Sequence, residues 1–176
     1  TMPRRAVLTK VEGGGWALER SQITYGDGFI LAEGQLGGGA TRLDLQAKDI
    51  PLSVGDIVLG DAGLGGSISG SVTYSAPRDG VPTGEARVKV ADFTRSGLIL
   101  ASRPIDISLI ASLEADKLQA RAILDDNSTQ GGRVQALISD LPRDGNLIER
   151  LQRGDLFAQL RYRGPAQSLW RLAAID

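Results

Sequence analysis

Ile105-Asp-Ile-Ser-Leu-Ile-Ala-Ser-Leu-Glu-Ala-Asp-Lys-Leu-Gln-Ala-Arg-Ala-Ile-Leu-Asp125 is the stretch whose reading decides the fold. Ile105, Ile107, Leu109, Ala111 and Leu113 share one parity. Asp106, Ser108, Ser112 and Glu114 share the other, with Ile110 the exception. A period of two marks a half-buried strand. Ala115-Asp-Lys117 then supplies a turn, and Leu118, Ala120, Ala122 and Leu124 return opposite Gln119, Arg121 and Asp125, with Ile123 out of pattern. Two alternating runs joined by a short polar turn predict a β-hairpin.

The same alternation extends in both directions. Downstream, Val134, Ala136 and Ile138 alternate with Arg133, Gln135 and Ser139, broken at Leu137; Leu156, Ala158, Leu160 and Tyr162 alternate with Gln159, Arg161 and Arg163. Upstream, Ile68, Gly70, Val72 and Tyr74 alternate with serine and threonine, and Ala86, Val88 and Val90 with Arg87 and Lys89. Residues 1–65 are the weaker region, and the first fifty offer three or four strands, the clearest being Thr41-Arg-Leu-Asp-Leu-Gln-Ala47. Helical signals are short. Asn146 caps Leu147 to Gln152 with Glu149 in the capping-box position, and Pro165 starts a turn or two through Ala173. Pro51 to Val58 is ambiguous because Gly55 opposes a long helix. No helices alternate with the strands, so the sheet is antiparallel and meandering, with roughly ten strands or more.

Such a sheet has too little to cover it. The chain has eight aromatic residues and no long amphipathic helix. The sheet therefore either closes on itself as a sandwich or barrel, or curls and leaves an apolar trough larger than ordinary monomers expose. The expected fold is mainly β: one segment over 1–176, a curled antiparallel sheet with an apolar concave face and two or three short helices. The residues expected to line that face are Ile68, Val72, Tyr74, Val88, Val90, Ile105, Ile107, Leu109, Leu113, Leu118, Ala120, Ala122, Leu124, Val134, Ala136 and Ile138.

Composition narrows the chemistry. Of 176 residues, 41% are apolar, which suits a folded chain. Its 20 basic and 21 acidic residues are interspersed, without the basic stripe of a nucleic-acid binder. There is no histidine and no cysteine. The chain lacks the usual proton shuttle near neutral pH, any thiolate nucleophile, and Cys- or His-based zinc sites. The expectation is no catalytic residue, no metal site and no cofactor. Gly13-Gly-Gly15, Gly37-Gly-Gly39 and Gly63-Leu-Gly-Gly66 lack the Lys-Ser/Thr of a phosphate loop and read as turn or bulge glycines. Asp125-Asp-Asn127, and Asp140 near Asp144, read as turn chemistry rather than calcium ligands. Paired carboxylates of a glycosidase have no aromatic sugar platform beside them. Arg95 reads as a solvated turn residue before a phosphate ligand, and Trp170 as a local lid on the sheet. No run approaches a membrane span. The opening Thr-Met-Pro-Arg-Arg5 and the close Ala174-Ile-Asp176 carry no targeting or closing signal, so an internal piece of a longer protein is expected.

Three phrases resemble the TamB family, the translocation and assembly module proteins of Gram-negative bacteria. They are Gly66-Ser-Ile-Ser-Gly-Ser-Val-Thr-Tyr-Ser-Ala-Pro77, Phe93-Thr-Arg-Ser-Gly-Leu-Ile-Leu-Ala-Ser-Arg-Pro-Ile-Asp106, and Leu156-Phe-Ala-Gln-Leu-Arg-Tyr-Arg-Gly-Pro-Ala-Gln-Ser-Leu-Trp-Arg-Leu172. The resemblance covers 66–172, within a TamB-like region over 66–176, and the first 65 residues only by style. It implies an AsmA-like periplasmic β-groove, the β-taco, in a protein anchored in the inner membrane. It also implies a partnership with a TamA-like outer-membrane barrel and passage of phospholipid acyl chains along the groove. The alternative is an assembly scaffold that pairs a strand edge with amphipathic β-strands of outer-membrane barrel or autotransporter substrates.

Overall fold

The computed structural model describes residues 6–55, 63–78, 80–95, 104–126, 131–143 and 147–164. Ten strands follow one another as an antiparallel meander, each hydrogen-bonded to its neighbours in sequence. They are β1 (Leu8–Lys10), β2 (Gly15–Tyr25), β3 (Gly28–Gly37), β4 (Ala40–Pro51), β5 (Leu64–Pro77), β6 (Thr83–Arg95), β7 (Ile105–Glu114), β8 (Lys117–Asp125), β9 (Gly131–Ser139) and β10 (Asp155–Arg163). A 3-10 turn, Leu52–Gly55, follows β4, and one helix, α1 (Leu147–Arg153), joins β9 to β10. The sheet does not close: β1 and β10 are its two edges. The expected helix from Leu147 is present as α1; of the ambiguous stretch from Pro51 to Val58, Leu52–Gly55 make the 3-10 turn and residues 56–58 lie outside the described residues. The helix expected from Pro165 lies outside the described residues.

The hairpin read from sequence is β7–β8, in register from Asp106–Asp125 to Glu114–Lys117. Its tight turn needs a left-handed residue, and Ala115 takes it with φ 38°. Of the glycine triplets at 13–15 and 37–39, Gly13, Gly14, Gly38 and Gly39 lie in the connections, as their chemistry predicts, and Gly15 and Gly37 are the strand ends beside them. The triplets meet at one end of the sheet, where Gly15 pairs with Gly37. A Cβ on Gly15 would lie 2.4 Å from the Leu36 carbonyl oxygen, so only glycine permits that approach.

Bulges shape the sheet. In β4, Lys48 and Asp49 oppose Ser69 alone; in β6, Ala91 and Asp92 oppose Asp106 alone. Asp49 and Asp92 take φ 49° and 52°, a conformation aspartate tolerates better than most residues. Each donates its amide to the single residue opposite, Asp49 to Ser69 Oγ (2.9 Å) and Asp92 to Asp106 Oδ1 (3.0 Å). A third bulge, Glu19–Arg20 in β2, opposes Glu33. Bulges bend strands and sharpen twist, so a sheet punctuated in this way curls.

No second layer covers the sheet among the described residues, and few of their side chains are fully buried. Among the described residues, the buried large apolar side chains are Ile50, Ile105, Leu113 and Leu141. Ile50 and Ile105 flank the bulges at one rim. Leu113 and Leu141 lie at the other, where the β9–β10 connection folds over the β7–β8 turn. Leu141 donates its amide to the Asp116 carbonyl (2.9 Å). Arg150 of α1, 2% exposed, donates from Nε to the Pro142 carbonyl (2.5 Å) and from Nη2 to the Ala115 carbonyl (2.9 Å).

Candidate functional site

Strand register turns the alternating residues into rows that cross the sheet. One row is Ile50, Ile68, Val90, Ile107, Leu124, Gly132 and Tyr162. The next is Ala47, Gly70, Val88, Leu109, Ala122, Val134 and Leu160; the third is Leu45, Val72, Ala86, Ala111, Ala120, Ala136 and Ala158. The fourth is Leu43, Tyr74, Gly84, Leu113, Leu118, Ile138 and Leu156. Every position in these rows from β4 to β10 is aliphatic, glycine or tyrosine. Fifteen of the sixteen residues expected to line the apolar face fall in them. The sixteenth, Ile105, is on the same face one step further along β7, opposite Phe93.

With strands about 4.8 Å apart and residues rising about 3.3 Å, four rows over seven strands cover about 20 by 29 Å, or about 600 Å2 in projection. That is the top of the range for the largest apolar patch on a typical monomer. The face is also the inner one. Ile110 and Ile123, the two residues out of pattern, point to the polar face and are 54% and 52% exposed. Ile68, Ile107 and Ile138 on the apolar face are half-buried. On these central strands the apolar face is thus the less exposed of the two, whereas toward the edges Ile23, Leu160 and Leu156 of the same face are 43%, 55% and 67% exposed.

The third row holds what sequence inspection missed. Ala86, Ala111, Ala120, Ala136 and Ala158 stand opposite one another across five consecutive strands. Each is unremarkable in its own strand, and the register alone aligns them. The bulkier rows on either side, with Val88, Leu109 and Val134 on one flank and Leu113, Leu118 and Ile138 on the other, make this lane the low floor of the face. Two tyrosines lean over glycines on the neighbouring strand: a Cβ at Gly132 would lie 3.2 Å from the Tyr162 ring, and one at Gly84 3.5 Å from that of Tyr74. These pairs fill space that bare backbone would leave open.

The opposite face carries the charges. A depression of about 480 Å3 is lined by Arg42, Asp44, Thr73, Ser75, Glu85 and Glu114, among others. It opens to water, and this face carries surface ion pairs such as Arg87–Glu85 at 3.7 Å and Lys117–Glu114 at 3.2 Å. Among the described residues no group of three Asp or Glu is placed to hold a metal ion. Asp125 ends β8 and Asp126 follows it, while Asn127 and Asp144 lie outside the described residues. Arg95 ends β6 opposite Leu64, and Trp170 lies outside the described residues. Thermal melts with and without a chelator are expected to superimpose, since metal-dependent folds lose stability when the ion is removed; a drop of the midpoint on chelation would restore a calcium role to the acidic turns.

Comparison of the chain with protein-family models, with curated proteins and with solved structures gives no match.

Proposed function

We propose that this chain is a non-catalytic periplasmic segment of the TamB type, part of a bridge between the inner and outer membranes. In this reading its apolar face holds phospholipid acyl chains on their way to the outer membrane. The observation that carries it is the run of apolar rows from β4 to β10 with no second layer over them among the described residues. An acyl chain suits such a surface. Each buried CH2 contributes about 0.8 kcal/mol without needing a directional bond, so a chain is held firmly and still slides. The charged groups lie on the opposite face, which leaves no headgroup site on the floor and puts headgroups at the rims or in water. The lack of His and Cys agrees with a passive role, and the three TamB-like phrases supply the location and the TamA-like partner.

A photoreactive residue at Ala136 tests this reading. On mixing with phosphatidylethanolamine vesicles, it is expected to crosslink to acyl carbons, while the same residue at Gln135 on the polar face labels at background. Equal labelling at both positions, or none at either, rejects the lipid groove. A second reading, the assembly scaffold, draws on the free edge of β10. It predicts crosslinks to an added amphipathic β-strand peptide from β10 positions and none to lipid.

A further inference from the structure

The two edges of the sheet are unlike each other. β1 has three residues and is a poor template, whereas β10 has nine, of which all but Tyr162 are exposed. Among the described residues β10 pairs with β9 alone, so its outer row of backbone N–H and C=O groups is unpaired. Proteins commonly guard such an edge with charge, and β10 carries Asp155, Arg161 and Arg163. None of these has an ion-pair partner among the described residues. Leu156, Phe157 and Leu160 are 67%, 61% and 55% exposed along the same edge.

The order of these residues is self-complementary. When β10 is laid antiparallel against a second β10 about Gln159, Asp155 faces Arg163, Leu156 faces Tyr162, Phe157 faces Arg161, Ala158 faces Leu160, and Gln159 faces itself. Each charge meets either its opposite or an aromatic ring, and a guanidinium over a ring is attractive. No like charges oppose each other. The parity is right as well: Leu156, Ala158, Leu160 and Tyr162 stay on the apolar face, so the rows described above continue into the second copy. A shift of two residues in one direction leaves Asp155 opposite a position beyond the strand, and in the other direction does the same to Arg163. The charges that discourage an arbitrary strand therefore specify this one.

We propose that β10 is a homodimer edge: two copies of this chain join β10 to β10 about a two-fold axis through Gln159, and the apolar face runs continuously across both. Such an interface is isologous and closes on itself, so the assembly stops at two. The inference does not depend on what occupies the face.

The chain has no cysteine, so single thiols report the register. Directly opposed residues in an antiparallel pair stand about 4.5–5.5 Å apart at Cα, within the roughly 4.4–6.8 Å that a disulfide spans. On mild oxidation Gln159→Cys is expected to convert mostly to covalent dimer. Phe157→Cys and Arg161→Cys should each stay monomeric alone but crosslink to one another when mixed. All three positions are exposed on the edge strand, and unchanged melting temperatures will show that the variants fold. In sedimentation, Arg163→Asp should weaken dimerisation about tenfold or more, and adding Asp155→Arg should restore it, as charge complementarity requires. The proposal is overturned if Gln159→Cys gives no covalent dimer, or if Phe157→Cys crosslinks to itself as efficiently as to Arg161→Cys. It is also overturned if Ala136→Cys crosslinks as well as Gln159→Cys, which would mean that copies stack through the apolar face.

Discussion

Leu109→Asp is expected to leave the chain folded while removing its capacity for acyl chains. Leu109 sits in the second row of the apolar face, opposite Val88 and Ala122, with no charged residue in the rows around it. In a closed core, a carboxylate at this place would be buried without a partner. That penalty is several kcal/mol and would consume most of the 5–15 kcal/mol typical of a domain. Here Leu109 is only half-buried and faces no second layer among the described residues, so water reaches a carboxylate at the same position. The remaining cost is the lost burial of part of a leucine, about 1–1.5 kcal/mol, which corresponds to roughly 2–6 °C in Tm for a chain of this size. Lipid labelling from Ala136 should fall by tenfold or more in the same variant, because the charge sits beside the alanine lane. Unfolding of Leu109→Asp would mean that the face is packed shut in solution and would remove the groove.

Arg150→Ala is expected to destabilise the chain by about 3–5 kcal/mol, since each hydrogen bond from a charged donor contributes about 1.5–3 kcal/mol and the two carbonyls it leaves are partly buried. Its guanidinium joins three pieces of chain, α1, Pro142 and Ala115, and thereby holds the β9–β10 connection over the rim where Leu113 and Leu141 are buried. Arg150→Lys keeps the charge but not the fork that reaches both carbonyls, and is expected to lose about half as much. Urea denaturation measures the loss. Hydrogen exchange locates it: the Leu141 amide, bonded to the Asp116 carbonyl, should lose protection well before the amides of β5 and β6. If Arg150→Ala unfolds at the same urea concentration as the unchanged chain, α1 is an appendage and not a clasp.

The strands were legible in sequence wherever alternation is unbroken. β7 and β8 could be read residue by residue, because side chains on a pleated strand must alternate and one face meets water. Even the exceptions carried meaning: Ile110 and Ile123 break the pattern because they occupy the polar face, not because the strand ends. β2 was harder. Its bulge at Glu19–Arg20 shifts the parity midway, so Trp16 and Leu18 share a face with Ser21 and Ile23 although their numbers do not agree. A bulge leaves little trace in sequence, since its signal at Asp49 and Asp92 is only an aspartate within a strand.

By itself, then, the sequence determined an antiparallel meander, the residues of its apolar face and the absence of histidine and cysteine chemistry, because all three follow from local alternation and composition. Three further features belong to the tertiary structure. The sheet stays open rather than closing as a sandwich or barrel, a choice that depends on twist and bulges summed over ten strands. Five alanines align into one lane, which requires four independent strand registers to agree. Arg150, which reads in sequence as an ordinary helical surface residue, is buried because its partners Pro142 and Ala115 lie 8 and 35 residues away. Parity is a property of one strand, whereas openness, lanes and clasps come from several strands taken together.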